Sequence, residues 1–198
     1  HAEIAESVKV AQLTEKQKKQ LVELEKEFLD VCRVKLTDEP PADLEEFKIR
    51  LKEGSVPKKA KVRQYSPTAL AVVRDSLTQL EARGLIKRNK NSRWAAPVMV
   101  VPKPGRPGEY RIVVDLKYIN SCTIPTQWPM PNLDLLLPKI QGSKFFFTGD
   151  FIQGYWQAKV HADSQEYYSF LTPWGVYTPT RLPQGAVDSP LYFQASMQ

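Results

Sequence analysis

One aspartate is a candidate for chemistry because of the residues on either side of it. Asp150 follows a run of three phenylalanines, residues 145–147, and Tyr155 comes five positions later. Aromatic runs of this kind are typical of a buried strand. A carboxylate just beyond a strand end can bind a divalent cation, which prefers oxygen ligands. The alternative is that Asp150 only caps or turns the chain. About thirty residues later comes a second candidate segment, Leu182-Pro183-Gln184-Gly185, followed by Ser189-Pro190.

The charge of the chain is strongly segregated. Residues 1–47 carry a net charge of −5, residues 48–117 a net charge of +12, and residues 118–198 a net charge of −1. A basic block of this size next to a nearly neutral segment favours a polyanionic partner. The alternative from charge alone is an ordinary solvated surface.

Composition excludes several classes of protein. The chain has 198 residues, of which 42% are hydrophobic, and no apolar run reaches the ~20 residues that a membrane span requires. The two cysteines, Cys32 and Cys122, and the two histidines do not have zinc-site or disulfide spacing. We therefore expect no membrane partner and an intracellular location, cytoplasmic or nuclear. The first residue is His1, so native targeting cannot be judged.

The apolar patterns predict a mixed α+β protein, and sixteen prolines argue against a helical bundle. Phe47, Ile49 and Leu51 alternate with basic residues as a half-exposed strand would. Helices are predicted at residues 14–29, 67–83, 132–140 and 189–198. Strands are predicted at residues 98–101, 112–114, 145–147, 155–160, 169–172 and 176–179, hairpin turns at 103–109 and 173–175, and a basic loop at 87–93.

Five segments between residues 94 and 194 have an order and spacing typical of one family. They are Trp94-Ala95-Ala96-Pro97-Val98, residues 110–120, Pro129-Met130-Pro131-Asn132-Leu133-Asp134, residues 146–155 and residues 182–194. In this order they resemble the fingers and palm of the reverse transcriptases of gypsy-type LTR retrotransposons. The resemblance covers residues 45–198 and implies an α+β fold with fingers and an incomplete palm, preceded by an amphipathic helix.

The resemblance implies a catalytic metal ligand and a steric gate. Asp150 matches the first metal-binding aspartate of the palm, where two Mg²⁺ ions support nucleotidyl transfer. Tyr155 matches an aromatic residue that excludes a ribose 2′-hydroxyl. The alternative for Tyr155 is a core aromatic residue on a strand.

The resemblance also implies a dNTP site. Arg111 matches a triphosphate-binding arginine, and its guanidinium suits an anion with several oxygens. Lys103 or Arg106 of the predicted hairpin would add a second cation, and Gln184 matches a residue that lines the nucleotide pocket. Asp115 and Asn120 match positions of the fingers–palm junction that organise the turn and the approach of the template.

An RNA or DNA template-primer is the implied partner of the basic block. Lys87, Arg88, Lys90 and Trp94 are the candidate nucleic-acid contacts. One departure from the family bears on nucleotide binding. Asp188 stands where a neutral residue is usual, so its carboxylate would add negative charge near the pocket.

The family's third motif, Tyr-x-Asp-Asp, is not found in these 198 residues. We therefore expect the chain to be catalytically incomplete, with weak Mg²⁺ binding at most. The predicted domains are an acidic helical extension at residues 1–44, fingers at 45–141 and a partial palm at 142–198. The leading interpretation is a fragment or truncated form of a retroelement RNA-directed DNA polymerase. The alternative is a retroelement-derived module that binds nucleic acid or protein, or a second copy through an exposed palm edge, without catalysis. A third interpretation is a remnant with no selected role.

Overall fold

The computed structural model of the protein describes residues 13–28, 40–144, 146 and 148–198. These residues divide into two compact units. One contains residues 13–28 and 148–153, and the other contains residues 40–144, 146 and 154–198. Within the described residues no helix is both long enough and apolar enough to cross a membrane.

The first unit contains helix α1, Glu15–Glu27, which confirms the helix predicted there from the sequence. Its start is a capping box. The Thr14 hydroxyl accepts a hydrogen bond from the Gln17 amide, and the Gln17 side chain accepts one from the Thr14 amide at 2.9 Å. These two bonds satisfy amide groups that a helix N-terminus otherwise leaves without partners. The helix has no buried residue.

The second unit is built around a mixed sheet of five strands with the spatial order β1-β5-β4-β2-β3. The strands are β1 (Ile86–Arg88), β2 (Ala96–Pro102), β3 (Tyr110–Val114), β4 (Phe170–Thr172) and β5 (Gly175–Pro179). Strands β2 and β4 run parallel, and the other neighbouring pairs are antiparallel. The predicted hairpins β2–β3 and β4–β5 are confirmed, and so is the α+β class.

Helix α2, Pro67–Ala82, covers one region of this sheet. Ser66 caps it by accepting from the Ala69 amide, as the Ser-Pro start predicts. Its buried residues Val73 and Leu77 lie one helical turn apart and therefore face the same side. They join a core cluster with sheet residues, namely Ile86, Val98, Phe170 and Tyr177.

A second core cluster lies where the segment before α2 meets the second half of the chain. It contains Phe47, Ile49, Trp94, Leu116, Ile119, Ala158, Val160, Tyr168, Leu182 and Ala186. The predicted alternation at residues 47–52 is present as alternating burial. Its backbone pairs only at isolated bridges, of Phe47 with Val160 and of Leu51 with Thr123.

Short helices complete the second unit. They are α3 (Lys117–Cys122), α4 (Leu133–Ile140), α5 (Gly154–Gln157), α6 (Ala162–Gln165), a 3₁₀ turn (Glu166–Tyr168) and α7 (Ser189–Ser196). The helices predicted at 132–140 and 189–198 are confirmed by α4 and α7. Every residue of α4 is exposed, including Leu133 and Leu135 at 66% and 69%.

The strand predicted at residues 155–160 is wrong. Residues Gly154–Gln157 form the helical turn α5, and the Ala158 amide donates to the Tyr155 carbonyl at 3.1 Å. Aromatic residues favour strands only where a neighbouring strand and a packing face are available, and tertiary contacts override that preference. Here Tyr155 packs edge-on against Phe193 of α7, with ring centroids 5.6 Å apart.

Two other predictions differ from the structure, and part of one falls outside the residues that the structure describes. Of the aromatic run at 145–147, residues 145 and 147 lie outside the described residues. Phe146 is 68% exposed and, like residues 148–150, is not part of a strand. A strand needs backbone partners, and none is found for these residues within the described chain. The basic loop predicted at residues 87–93 begins as strand, because Lys87 and Arg88 pair with β5.

Candidate nucleotide-binding site

A cavity of about 270 Å³ lies beside strand β3 in the second unit. Its lining includes Arg111, Gln184 and Gly185, together with residues of α2, β3, β4 and the 182–185 loop. Arg111 stands on β3 opposite Val101 of β2, and its side chain is exposed. The structure thus brings together two residues that are 73 positions apart in sequence and that the resemblance assigned to one nucleotide.

The loop that carries Gln184 is held by the side chain of Asn120. The Asn120 Nδ2 group donates to the Gly185 carbonyl at 2.9 Å, and its Oδ1 accepts from the Val187 amide at 3.1 Å. Gly185 has φ +98°, a conformation that favours glycine. The Ser189 hydroxyl adds a bond to the Pro183 carbonyl at 3.0 Å. Gln184 remains exposed, so its amide can face a ligand while its backbone is fixed.

The buried wall of the cavity is aromatic. Tyr168 and Phe170 are 2% and 3% exposed, and both line the cavity. Burial raises the pKa of the Tyr168 phenol, and the nearby Asp188 carboxylate raises it further. The phenol is neutral at physiological pH, as an ordinary tyrosine is, and the raised pKa extends its neutral range to more alkaline pH.

The aromatic residue of α5 that lines this cavity is Trp156. Tyr155, predicted as the steric gate, is not among the described lining residues, because its half-buried ring packs against Phe193. The helical turn Gly154–Gln157, which replaces the predicted strand, changes which of the two side chains reaches the cavity. On a strand adjacent side chains point to opposite faces, whereas on a helical turn they diverge by about 100°.

Lys103 and Arg106 form ion pairs within their own hairpin. Lys103 Nζ lies 2.8 Å from Glu109 Oε2, and an Arg106 guanidinium nitrogen lies 3.5 Å from the same oxygen. These cations, with the Lys103 hydrogen bond first, lower the pKa of the Glu109 carboxyl. Neither cation is among the described residues that line the cavity beside Arg111.

Asp150 belongs to the other compact unit and is exposed. A single exposed carboxylate suits Mg²⁺, which is commonly bound through one or two carboxylates plus substrate phosphates and water. Among the residues that the structure describes, no three His, Cys, Asp or Glu side chains are grouped closely enough to hold a metal ion. Asp150 would therefore supply one carboxylate ligand to such a cation.

Comparison with known proteins identifies the family of this fold and site. The family described as "Reverse transcriptase (RNA-dependent DNA polymerase)" matches residues 101–198, which contain Arg111, Asn120 and Gln184. The chain belongs to the reverse transcriptase family.

Retroelement polyproteins are among the curated relatives of this reverse transcriptase chain. It is 35% identical over 128 residues to the retrovirus-related Pol polyprotein from transposon 297 of Drosophila melanogaster, covering 63% of this chain and 12% of that protein. It is 31% identical over 179 residues to the transposon Tf2-3 polyprotein of Schizosaccharomyces pombe, covering 88% of this chain and 13% of that protein. The chain therefore spans about one eighth of the length of these relatives.

Solved reverse transcriptase structures share the fold of the chain. The protease–reverse transcriptase of prototype foamy virus is 25% identical with a TM-score of 0.80, covering 99% of this chain and 26% of that one. A foamy viral protease–reverse transcriptase in complex with an RNA/DNA hybrid has a TM-score of 0.74 at 21% identity, with the same coverage.

The predicted nucleic-acid contacts of this reverse transcriptase chain differ in exposure. Lys87, Arg88 and Lys90 are exposed on and just after β1. Arg88 Nε forms an ion pair with Glu81 Oε1 at 3.2 Å, and the Arg88 guanidinium also lies over the ring of Tyr177. Trp94 is only 3% exposed, and its place in the core favours a packing role over stacking on an open surface.

Asp188 has a partner that the sequence did not reveal. Its carboxylate is 2% exposed and accepts from the Thr126 amide at 2.9 Å and from the Thr126 hydroxyl at 3.3 Å. These two hydrogen bonds therefore fix the segment before Trp128 to the start of α7. Thr126 and Trp156 were not predicted as site residues, because no local pattern in the sequence connects Thr126 with Asp188 or Trp156 with the cavity beside Gln184. Asn120 was predicted only through the family resemblance.

Proposed function

We propose that this chain is the dNTP-binding and template-binding part of a retroelement RNA-directed DNA polymerase of the gypsy-type LTR class. The single observation that carries the proposal is that Arg111 and Gln184 line the same cavity. In this proposal residues 45–141 form the fingers, residues 142–198 part of the palm, and residues 1–44 an acidic extension.

The roles of the lining residues follow from their chemistry. Arg111 offers a fork of N–H donors that matches phosphate oxygens, so it would hold the triphosphate. Gln184, on the loop fixed by Asn120, would contact the nucleoside end, and Trp156 would supply an aromatic surface. Asp150 lies in the other compact unit and would supply one carboxylate ligand to Mg²⁺, and the bound ion would contribute the charge neutralisation and hydroxyl activation of two-metal nucleotidyl transfer.

Nucleotide titration tests the role of Arg111. We expect Arg111→Ala to weaken dNTP binding by about tenfold or more, because a charge-assisted bidentate contact is lost. Arg111→Lys should retain part of the affinity, since it keeps the charge but not the fork. Arg74→Ala, an exposed arginine on α2, is the matched control. Equal affinities of Arg111→Ala and the unchanged chain would refute the proposal.

Primer extension separates binding from catalysis. Transfer by two metal ions requires several carboxylates, and the described residues contain no such group. We propose that the 198 residues alone bind template-primer and dNTP without extending the primer. Extension that Asp150→Asn abolishes would overturn the proposed inactivity while supporting the role of Asp150.

A function without catalysis is the second candidate, and the exposed apolar surface of α4 favours it. Leu133, Leu135 and Leu137 are at least half exposed, as on a surface that binds another protein. In that case binding of nucleic acid would fall with salt but would not respond to dNTP. A dNTP-dependent gain in template-primer affinity would favour the polymerase instead.

A further inference from the structure

One buried carboxylate near the nucleotide cavity has no part in the proposed contacts with dNTP. Asp188 is 2% exposed, and its two oxygens accept hydrogen bonds from the amide and the hydroxyl of Thr126. Within the part of the chain that the structure describes, Asp188 forms no ion pair. A buried carboxylate without a cation is stabilised chiefly by its hydrogen bonds, so the position of Asp188 is tied to that of Thr126.

The chain before Thr126 is itself anchored to the rest of the second unit. The Ile124 amide donates to the Arg50 carbonyl at 2.8 Å. Thr123 is 1% exposed, and its hydroxyl donates to the Ile119 carbonyl at 2.8 Å. Thr126 is therefore a fixed donor, and the carboxylate that binds it is held in one place.

Asp188 lies on the same loop as Gln184 and close to the wall of the cavity. The next residue, Ser189, is fully buried and donates from its hydroxyl to the Pro183 carbonyl at 3.0 Å. The Asp188 carboxylate also raises the pKa of the Tyr168 phenol, and Tyr168 lines the cavity. A displacement of Asp188 is therefore transmitted through Ser189 and Pro183 to the backbone of Gln184.

Two opposite effects on a bound dNTP follow from this arrangement. The negative charge of Asp188 repels the triphosphate, which is the effect expected from the sequence. The hydrogen bonds to Thr126 instead fix the loop that presents Gln184, and a preorganised loop raises affinity. Burial of the carboxylate and the short connection from Asp188 to Pro183 favour the second effect.

We propose that Asp188 is a positioning residue of the nucleotide site, which acts through Thr126 to hold Gln184 against the nucleoside end of a bound dNTP. The inference rests on the proposed function, because it takes dNTP as the ligand of the cavity. It reverses the sign of the effect that the sequence predicted for this carboxylate.

Titration with dTTP and with inorganic tripolyphosphate, each with Mg²⁺, tests the positioning role. Arg111 would hold phosphates of both ligands, whereas Gln184 would contact only the nucleoside end of dTTP. We expect Asp188→Ala to weaken dTTP binding about fivefold or more, because the binding-competent loop is populated less. Tripolyphosphate binding should stay within about twofold, whereas a general loss of structure would weaken both ligands.

The conservative variant separates position from charge. The side chain in Asp188→Asn keeps an acceptor for the Thr126 amide and gains a donor for the Thr126 hydroxyl, but it has no charge. We expect its dTTP affinity to stay within about twofold of that of the unchanged chain. Tighter binding of both ligands by several-fold would show that repulsion dominates and would overturn the inference. Thr126→Val removes only the 3.3 Å bond, so its loss should be about twofold to threefold.

A double variant and a matched control complete the design. If Asp188 acts through Gln184, Asp188→Ala should cost little further dTTP affinity in a chain that already carries Gln184→Ala. Ser92→Ala is the control, because Ser92 is 1% exposed and bonds to Trp94, outside the lining of this cavity. It should leave both affinities unchanged. If Asp188→Ala does not fold, Thr126→Val alone and with Gln184→Ala gives the same comparison.

Arg111→Ala distinguishes failure of this inference from failure of the proposed function. Loss of both ligands in Arg111→Ala, with selective loss of dTTP in Asp188→Ala, supports both. The same result for Arg111→Ala, with unchanged dTTP affinity or an equal loss of both ligands in Asp188→Ala, overturns the positioning role alone. Affinity for dTTP that requires Asp188 and Gln184 but not Arg111 overturns the role of Arg111 alone. Absence of dTTP binding by the unchanged chain overturns both.

Discussion

At the residue scale, the most consequential contacts are made by side chains that fix other residues. Asn120 satisfies the carbonyl of Gly185 and the amide of Val187 with one planar group that both donates and accepts. Gly185 has a positive φ, in the left-handed region of backbone conformation, where most other residues are destabilised. The loop that presents Gln184 is therefore held from α3.

Substitution of Asn120 tests this clamp. Asn120→Ala removes two hydrogen bonds, so we expect a loss of about 1–3 kcal/mol in the free energy of unfolding. Asn120→Asp keeps an acceptor for the Val187 amide but faces the Gly185 carbonyl without a donor. In Asn120→Ala the Val187 amide should exchange with solvent faster, and in both variants dNTP binding should weaken while the fold is retained. Unchanged exchange and unchanged dNTP affinity would contradict the clamp.

At the element scale, helices α2 and α4 differ in how their apolar residues are used. Both were predicted from similar local patterns, yet α2 buries Val73 and Leu77 against the sheet, whereas every residue of α4 is exposed. Burial stabilises a helix far more than intrinsic propensity does. The two helices therefore differ in their expected sensitivity to the same substitution.

A matched pair of leucine substitutions measures this difference. Leu77 is 4% exposed and Leu135 is 69% exposed. We expect Leu77→Ala to lower the free energy of unfolding by about 2–5 kcal/mol, because it leaves a cavity in the core. Leu135→Ala should change it by less than about 0.5 kcal/mol. Urea titration of both variants gives the values, and equal losses would show that α4 packs as tightly as α2.

At the scale of the whole molecule, several tyrosines couple stability to alkaline pH. Desolvation by burial raises the pKa of Tyr65, Tyr118, Tyr168 and Tyr192. In the unfolded chain a phenol titrates near pH 10. The folded state then binds more protons than the unfolded state above that pH. The corresponding stability is thus fully present below about pH 10 and is lost as the pH rises toward the folded-state pKa.

Tyr168 is the most buried of these phenols, so its removal should change the pH profile most. Above about pH 10 we expect the free energy of unfolding to fall less steeply with pH in Tyr168→Phe than in the unchanged chain. Tyr65, Tyr118 and Tyr192 remain in the variant, so its free energy of unfolding should still decline with pH. Tyr110→Phe, at a ring that is 41% exposed, is the control. Urea titrations at several alkaline pH values make the comparison. Parallel profiles of Tyr168→Phe and the unchanged chain would count against it.

Much of the local structure could be predicted because its causes lie within a few residues. The Thr14–Gln17 cap, the Ser66 cap with Pro67, and the glycine-rich turn between β2 and β3 each specify their geometry by short-range bonds and steric limits. The family resemblance of residues 110–120 and 182–194 also identified Arg111 and Gln184 as partners. The cavity between them agrees with that pairing.

Only the tertiary structure decided which of these residues face solvent, which pack, and which meet. Tyr155 packs against Phe193 because α7 lies beside it, and Trp94 is buried in the core. Asp188 accepts a hydrogen bond from Thr126, which is 62 positions away in sequence. Each outcome depends on residues that are remote in sequence, and the free energy of burial and hydrogen bonding is shared among them. The order of motifs along the chain was therefore sufficient to predict the family. The role of each aromatic ring and carboxylate depended on the neighbours that folding brings to it.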